Sequence, residues 1–353
     1  MTQTLDIKKL LQSVVVHGAS DLHLVSKSEP LLRLDGRLRP VNLPVLDGNS
    51  IEEACYSLIT EKQKQAFEEQ NELDFAIELE GVGRFRANYY RTLGDMAAAF
   101  RVIPIDVPSL DDLNAPEVYK KLIQREKGLI LVTGPTGSGK STTLAAMLNE
   151  INMKESKHIV TVEDPVEFVH QNQKCVFSQR SVGEDTNSFA TALKYAMRQD
   201  PDIILIGEMR DKETIAAALT AAETGHLVFG TLHTNSAPGT VNRIIDVFSG
   251  DEQPQVRAML STSLIAVIAQ TLLPKVKSGR VAASEILVTN HAISNLIRED
   301  KVHQIYSAMQ LGQENSGMQT QTQAFAKLVK NGVVEKHVAL QFSNKRDELE
   351  KVL

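Results

Sequence analysis

One eight-residue stretch constrains this chain more than any other feature. Gly134-Pro135-Thr136-Gly137-Ser138-Gly139-Lys140-Ser141 satisfies G-x-x-x-x-G-K-[ST], the pattern of a phosphate-cradling P-loop. The glycines let the backbone curl so that successive N–H groups point inward at an anion. Lys140 is placed to reach β- and γ-phosphates, and the Ser141 hydroxyl to ligate Mg2+. The context agrees. The apolar run Gly128 to Thr133 has strand length, and Thr142 to Leu148 opens a helix whose dipole falls on the same anion. The spacing therefore predicts strand, loop and helix around a bound nucleoside triphosphate.

The 353 residues exceed one ordinary core and predict two domains, with 42% apolar and 23% charged residues as in a soluble globular chain. A net charge of −6 argues against wholesale nucleic-acid binding. Cys55 and Cys175 are too few and too distant in sequence for a disulfide framework or a cysteine zinc site, and read as reduced thiols. Met1 to Leu11 lacks the apolar centre of a signal peptide, and no uninterrupted apolar segment is long enough to span a bilayer. Membrane association is expected through a partner.

The first hundred residues read as an α+β domain: a helix around 5–17, a strand from Asp21, a hairpin about Asp35-Gly36, a helical stretch over 50–70, then strands at 73–79, 84–91 and 96–103. Prolines 104, 108 and 116 mark a linker. From Gly128 strands and helices alternate, which predicts a mostly parallel sheet. Strands are expected at 129–133, 158–162, 202–207 and 227–231, and helices near 140–151, 186–198 and 211–222. Beyond 236 the chain reads as mainly helical, with a hairpin about Ser278-Gly279 and a small helical cap over 290–312 and 316–330. The resulting division is 1–103, linker 104–116, core 117–288 and C-terminal helical region 289–353.

Hydrolysis needs more than a phosphate loop: a carboxylate to position water or metal, and a cation for charge developing on the γ-phosphate. Asp202 to Glu208 is a hydrophobic strand ending in an acid, with Gly207 where an aspartate is usual, so Glu208 is the first candidate to orient the attacking water. Glu163 and Asp164 follow another strand, at the end where open α/β sheets bind ligands. Glu163 could reach metal or water from the opposite side. His226 and His233 flank a strand, too far apart for a helical metal pair, and His233 with Thr231 and Thr234 reads better as a γ-phosphate sensor. Arg84, Arg86, Arg91 and Arg101 offer forks for phosphate, although arginines on strands are commonly solvated.

These segments together resemble the secretion-type traffic ATPases, and most closely the type IV pilus retraction ATPases of the PilT family. The resemblance covers nearly the whole chain. It runs through Gly18 to Leu24, Arg84 to Asn88, the P-loop through Thr143, an Asp box at Thr161 to Glu167, a Walker B segment at Arg198 to Asp211, and a His box at Gly225 to Thr234. It implies a PAS-like N-terminal domain, a RecA-like P-loop core with a C-terminal helical cap, and a ring of six subunits using ATP and Mg2+. In the family the residues matching Glu163 and Glu208 serve catalysis, with the His box nearby. Arginines at the positions of Arg86 and Arg101 approach the nucleotide when the N-terminal domain closes, commonly from a neighbouring subunit. The set assigned to nucleotide is Gly134 through Thr142, with Ser141 and Glu163 on the metal.

A missing extra N-terminal domain and a missing four-cysteine zinc element favour retraction over extension. Ala292 to Glu299 is similar to the retraction signature, with Ser294 standing for an arginine. The resemblance further implies a cytoplasmic enzyme, peripheral to the inner membrane through a platform protein, with a paralogous retraction ATPase as a second partner. Other readings stay open: an accessory or other secretion ATPase, and an ATP-gated binding ring without significant turnover.

Overall fold

The computed structural model describes residues 5–34, 36–103, 106–311 and 316–353. The hairpin tip at Asp35, the start of the linker at Pro104 and the end of the expected helical stretch at Gly312 lie outside them. The chain divides into two compact units, Met1–Asp106 with Pro165–Val169, and Val107–Asp164 with His170–Leu353.

The first unit runs α1 (Ile7–Val16), β1 (Asp21–Leu24), β2 (Leu31–Leu34), β3 (Arg37–Pro40), α2 (Gly48–Tyr56), α3 (Glu61–Gln70), β4 (Glu72–Leu79), β5 (Gly83–Thr92) and β6 (Asp95–Ile103). Its sheet has the order β3-β2-β1-β6-β5-β4, antiparallel throughout. The single helical stretch expected over 50–70 is two helices. Thr60 opens the second with a capping box: its side chain accepts the Gln63 N–H while the Gln63 side chain accepts its own. Along β5, Phe85, Ala87 and Tyr89 face the core and Arg84, Arg86 and Asn88 the opposite side. Phe67, Phe75 and Phe100 meet Tyr89 edge-on, with ring centroids 5.0–6.2 Å apart. The Tyr89 hydroxyl donates to the Cys55 carbonyl at 3.1 Å, so the buried aromatic leaves no polar group unpaired.

The second unit holds α4 (Val118–Leu122), β7 (Gly128–Thr133), α5 (Lys140–Lys154), β8 (His158–Glu163), β9 (Val176–Ser181), α6 (Phe189–Ala196), β10 (Ile203–Ile206), α7 (Lys212–Glu223), β11 (Leu227–Leu232), α8 (Ala237–Asp246), α9 (Gln253–Ser263), β12 (Leu264–Pro274), β13 (Arg280–Val288), α10 (His291–Arg298) and α11 (Ile305–Leu311). The helices α12 (Gln321–Lys330), α13 (Lys336–Phe342) and α14 (Arg346–Val352) follow. The sheet order is β13-β12-β7-β11-β10-β8-β9, parallel except at β13.

Strands β7, β10 and β11 are buried along their whole length. Leu129 and Leu131 pack on one face with Ile215, Val241, Leu260 and Ile293, while Ile130 and Val132 pack on the other with Tyr119, Leu144, Met147 and Ile151. Helices covering both faces explain why these strands read as continuous apolar runs rather than alternating ones. Phe325, Ala339 and Leu349 of the last helices bury against Leu273 and Ala283 of the β12–β13 hairpin.

Two strands of the core sheet, β9 and β12, lie outside the sequence expectations. Strand β9 was not foreseen, because Val176-Phe177-Ser178-Gln179-Arg180-Ser181 is a half-polar edge strand. The region after 236 is mainly helical around one hairpin, as expected, but the first arm of that hairpin belongs to the core sheet. The hairpin about Gly279 has arms of 11 and 9 residues, and β12 pairs in parallel with β7 in the middle of the sheet. A run buried on both faces has no period that separates strand from buried helix.

Among the described residues no helix is long and apolar enough to cross a membrane. Cys55 and Cys175 are both free and buried.

His170 introduces a pH dependence. Its ring is buried and stacks on Phe177 at 4.5 Å between centroids, Nδ1 has no partner, and burial pushes its pKa from 6.5 down to about 4. Between those values the unfolded chain binds a proton that the folded chain refuses. Stability is therefore lost as pH falls from 6.5 to about 4. We expect the loss to be on the order of 3 kcal/mol, and His170→Phe to remove it. Urea midpoints of the two proteins measured against pH check this; parallel curves would contradict it.

Candidate active site

The phosphate loop leaves β7 at Thr133 and enters α5 at Lys140. Gly134 has φ +141°, and a Cβ there would lie 2.6 Å from Ser138 Oγ, so glycine is required on both counts. Helices α6, α7 and α8 are capped by the side chains of Ser188, Asp211 and Ser236, whereas α5 starts from Gly139 with no side-chain cap. Its first-turn N–H groups are left for an anion. Lys140 Nζ donates to the carbonyls of Gly134 at 2.8 Å and Pro135 at 3.2 Å, holding the ammonium over the loop. Ser138 Oγ is buried there without a hydrogen-bond partner. Pro135, Thr136 and Gly137 are exposed at the loop tip, and Ser141 and Thr142 lie half-buried in the first turn of α5.

The other candidates follow along the same rim. The adjacent strands β7, β11, β10 and β8 end respectively in the P-loop, His233, Glu208 and Glu163. Neighbouring strands are about 4.8 Å apart, so the four features line the carboxyl edge in that order. Backbone bonds knit the rim: Gly134 N–H to Leu232 O at 3.3 Å, Met209 N–H to Thr231 O at 2.9 Å, and Gly207 N–H to Val162 O at 2.7 Å. The crossing from β10 explains Gly207. A Cβ at that position would stand 3.0 Å from Glu163 Cα, so an aspartate there would push the neighbouring strand aside by a few tenths of an ångström.

Glu208 and His233 meet, with Nε2 of the imidazole 3.0 Å from Oε1 of the carboxylate. With the ring neutral, this contact places its proton on Nε2. Thr161 Oγ1 donates to Glu163 Oε1 at 2.8 Å and fixes that side chain. Thr231 Oγ1 donates to Gly207 O at 2.5 Å, and Thr234 Oγ1 shares a 2.6 Å hydrogen bond with Thr240 Oγ1. His226 is not part of the cluster. It sits at the opposite end of β11 with Nδ1 3.0 Å from Ala221 O. Among the described residues no group of His, Cys, Asp or Glu forms a metal cluster.

Two residues were missed by sequence reasoning. Arg210 donates through Nε to the same Glu208 oxygen, and this ion pair raises the proton affinity of the guanidinium further. A cleft of about 390 Å³ opens beside the pair, lined by Asp164, Phe189, Asp211 and Glu213 among others. The signal for Arg210 was its spacing two residues beyond Glu208. Gln270, buried in β12, donates through Nε2 to Ser138 O at 2.7 Å and accepts the Thr143 hydroxyl at 2.9 Å. It clamps the loop to the helix behind it. Its signal was a polar residue inside an apolar run.

The arginines belong to the first unit. Arg86 and Arg101 face each other in register across β5 and β6. Each is held by a carboxylate: Arg86 by Asp74 through Nε at 3.2 Å and Nη2 at 2.5 Å, and Arg101 by Asp21 at 2.7 Å. Burial raises the Asp21 pKa, but hydrogen bonds from Ser20 and Arg101 outweigh it and leave the carboxyl below its ordinary range. Arg84 lies on the same face as Arg86, whereas Arg91 pairs with Glu52 at 3.5 Å and covers the Phe67 ring.

Comparison with known proteins gives concordant findings. The model of the family described as type II/IV secretion system protein matches residues 3–340. The type IV pilus retraction ATPase PilT of Pseudomonas aeruginosa is 51% identical over 335 residues, covering 95% of this chain and 97% of that protein. The type IV pilus ATPase PilU of the same organism is 39% identical over 98% of this chain and 90% of its own length. A crystal structure of the pilus retraction motor PilT with bound ADP superposes with a TM-score of 0.92 at 47% identity, covering 98% of this chain and 99% of that one.

Proposed function

The chain belongs to the type II/IV secretion system protein family, in its PilT branch, and on that premise we propose that it is a Mg2+-dependent ATPase whose hydrolysis cycle drives type IV pilus retraction. The observation that carries the reading is the unbroken rim of P-loop, His233, Glu208 and Glu163 on adjacent parallel strands. Residues 134–142 bind the triphosphate, with Lys140 moving from the loop carbonyls to the phosphates. Glu208 orients and deprotonates the attacking water. His233 reads the γ-phosphate from the next strand while touching Glu208, so presence of the phosphate and readiness of the base are sensed by one contact.

A hydroxyl and a carboxylate are hard oxygen donors, and Ser141 and Glu163 with phosphates and water suit Mg2+ better than any all-protein cage. The bound ion would neutralise charge on the phosphates. Arg86 and Arg101, each holding a carboxylate, are the cations we assign to the γ-phosphate from a neighbouring subunit. Losing that phosphate removes their partner, which makes domain closure depend on the nucleotide.

In this reading residues 1–103 form the PAS-like domain, 104–116 the linker, 117–288 the RecA-like core and 289–353 the helical cap of a cytoplasmic six-subunit ring. The ring acts on an inner-membrane platform protein, alongside a paralogous retraction ATPase. Identity of 51% with a type IV pilus retraction ATPase, PilT, against 39% with the type IV pilus ATPase PilU supports the retraction reading. Ser294 lies on α10, where Ile293 and Ile297 bury against the core.

Deleting the gene in its source cell is expected to leave pili that extend and do not retract, with rescue by the wild-type gene and not by Glu208→Gln. Normal retraction in the deletion strain would overturn the assignment.

A further inference from the structure

Glu285 is a buried carboxylate with no part in the chemistry above. It sits in β13 at 3% exposure, where burial raises its pKa. Each oxygen accepts one backbone N–H: Oε1 takes Ala237 at 2.8 Å, the first residue of α8, and Oε2 takes Gln321 at 3.3 Å, the first residue of α12. The side-chain caps Ser236 and Thr320 accept the Gly239 and Gln323 N–H groups, so Glu285 takes the first N–H of each helix, which those caps leave over. Burying a carboxylate is costly, and the two N–H bonds it accepts offset part of that cost. What Glu285 does beyond capping is join two helix starts to one strand.

The joined elements lead to His233. Gln321 Oε1 accepts the Asn344 N–H at 2.8 Å, and Asn344 Nδ2 donates to Asn235 O at 3.0 Å. The segment from His233 to Ala237 is thus held at His233 by Glu208, at Thr234 by Thr240, at Asn235 by Asn344 and at Ala237 by Glu285. We propose that Glu285 is a positioning residue for ATP hydrolysis: with Gln321 and Asn344 it latches the segment that sets His233 on Glu208, and ties it to the C-terminal helices. This rests on the roles given above to His233 and Glu208.

Glu285→Gln keeps the shape but offers one acceptor for two N–H groups. Asn344→Ala removes an exposed side chain and leaves folding intact. Each hydrogen bond lost from the latch is expected to lower kcat for ATP by about five- to tenfold, with KM within about twofold. In a His233→Ala background both substitutions are expected to have no further effect on kcat, because they act through the imidazole. A merely structural role would reduce rates equally in both backgrounds, and that outcome overturns the latch, as does unchanged kcat in the single variants. Wild-type protein without turnover would remove the functional reading and the latch together; turnover with additive losses removes the latch alone.

Discussion

Glu208→Gln is expected to lower kcat for ATP hydrolysis by about 10²- to 10⁴-fold while leaving ATP affinity within a few-fold of wild type. The substitution isolates the chemistry from the geometry. Oε1 of the carboxylate accepts from Arg210 Nε and His233 Nε2, and an amide oxygen in its place can accept from both. The rim therefore keeps its shape, since its backbone bonds do not involve the side chain. What disappears is the negative charge to which we assign the orienting and deprotonation of water. Phosphate release under steady state measures the first quantity, and titration with a fluorescent ATP analogue the second. A kcat within threefold of wild type would pass the role of base to Glu163, whose carboxylate closes the same rim one strand further on. Equal, negligible turnover in both proteins with intact binding would instead favour a ring that uses ATP as a switch.

The rim was legible because each of its parts ends an apolar run, and in a parallel sheet the ends of such runs fall together. Glu163, Glu208 and His233 could be read one strand at a time. Arg210, Gln270 and Glu285 could not, for a different reason in each case. Arg210 lies in a turn, and its bond to Glu208 depends on how that turn folds back. Gln270 depends on the register of β12 against β7, where Ala269 stands opposite Thr133 just before the P-loop. Nothing local fixes the register of two strands so far apart in sequence. Glu285 is a polar residue in an apolar strand, which signals a buried partner without saying which one. The break between α2 and α3 was readable in principle, since Thr60 and Gln63 form a capping box, but the charged faces on both sides obscured it.

Lys140→Ala is expected to weaken ATP binding by about 100-fold or more and to leave no measurable turnover, because in the proposed site the ammonium meets the β- and γ-phosphates. The fold is expected to survive. Lys140 is half-buried with its Nζ on two loop carbonyls, and each such hydrogen bond contributes about 1 kcal/mol. Calorimetric titration with ATP and a thermal melt check the two statements. ATP affinity close to wild type would mean that the N–H groups of the uncapped α5 carry phosphate binding alone. The same protein tests the arginines. A Lys140→Ala subunit has a dead nucleotide site and an intact Arg86, and an Arg86→Ala subunit has the reverse. If Arg86 serves its neighbour's nucleotide, mixing the two inactive proteins restores turnover at those junctions where a sound P-loop faces a sound arginine. Failure of mixed rings to recover activity would place Arg86 in its own subunit's site, or leave it holding Asp74 as it does in this structure.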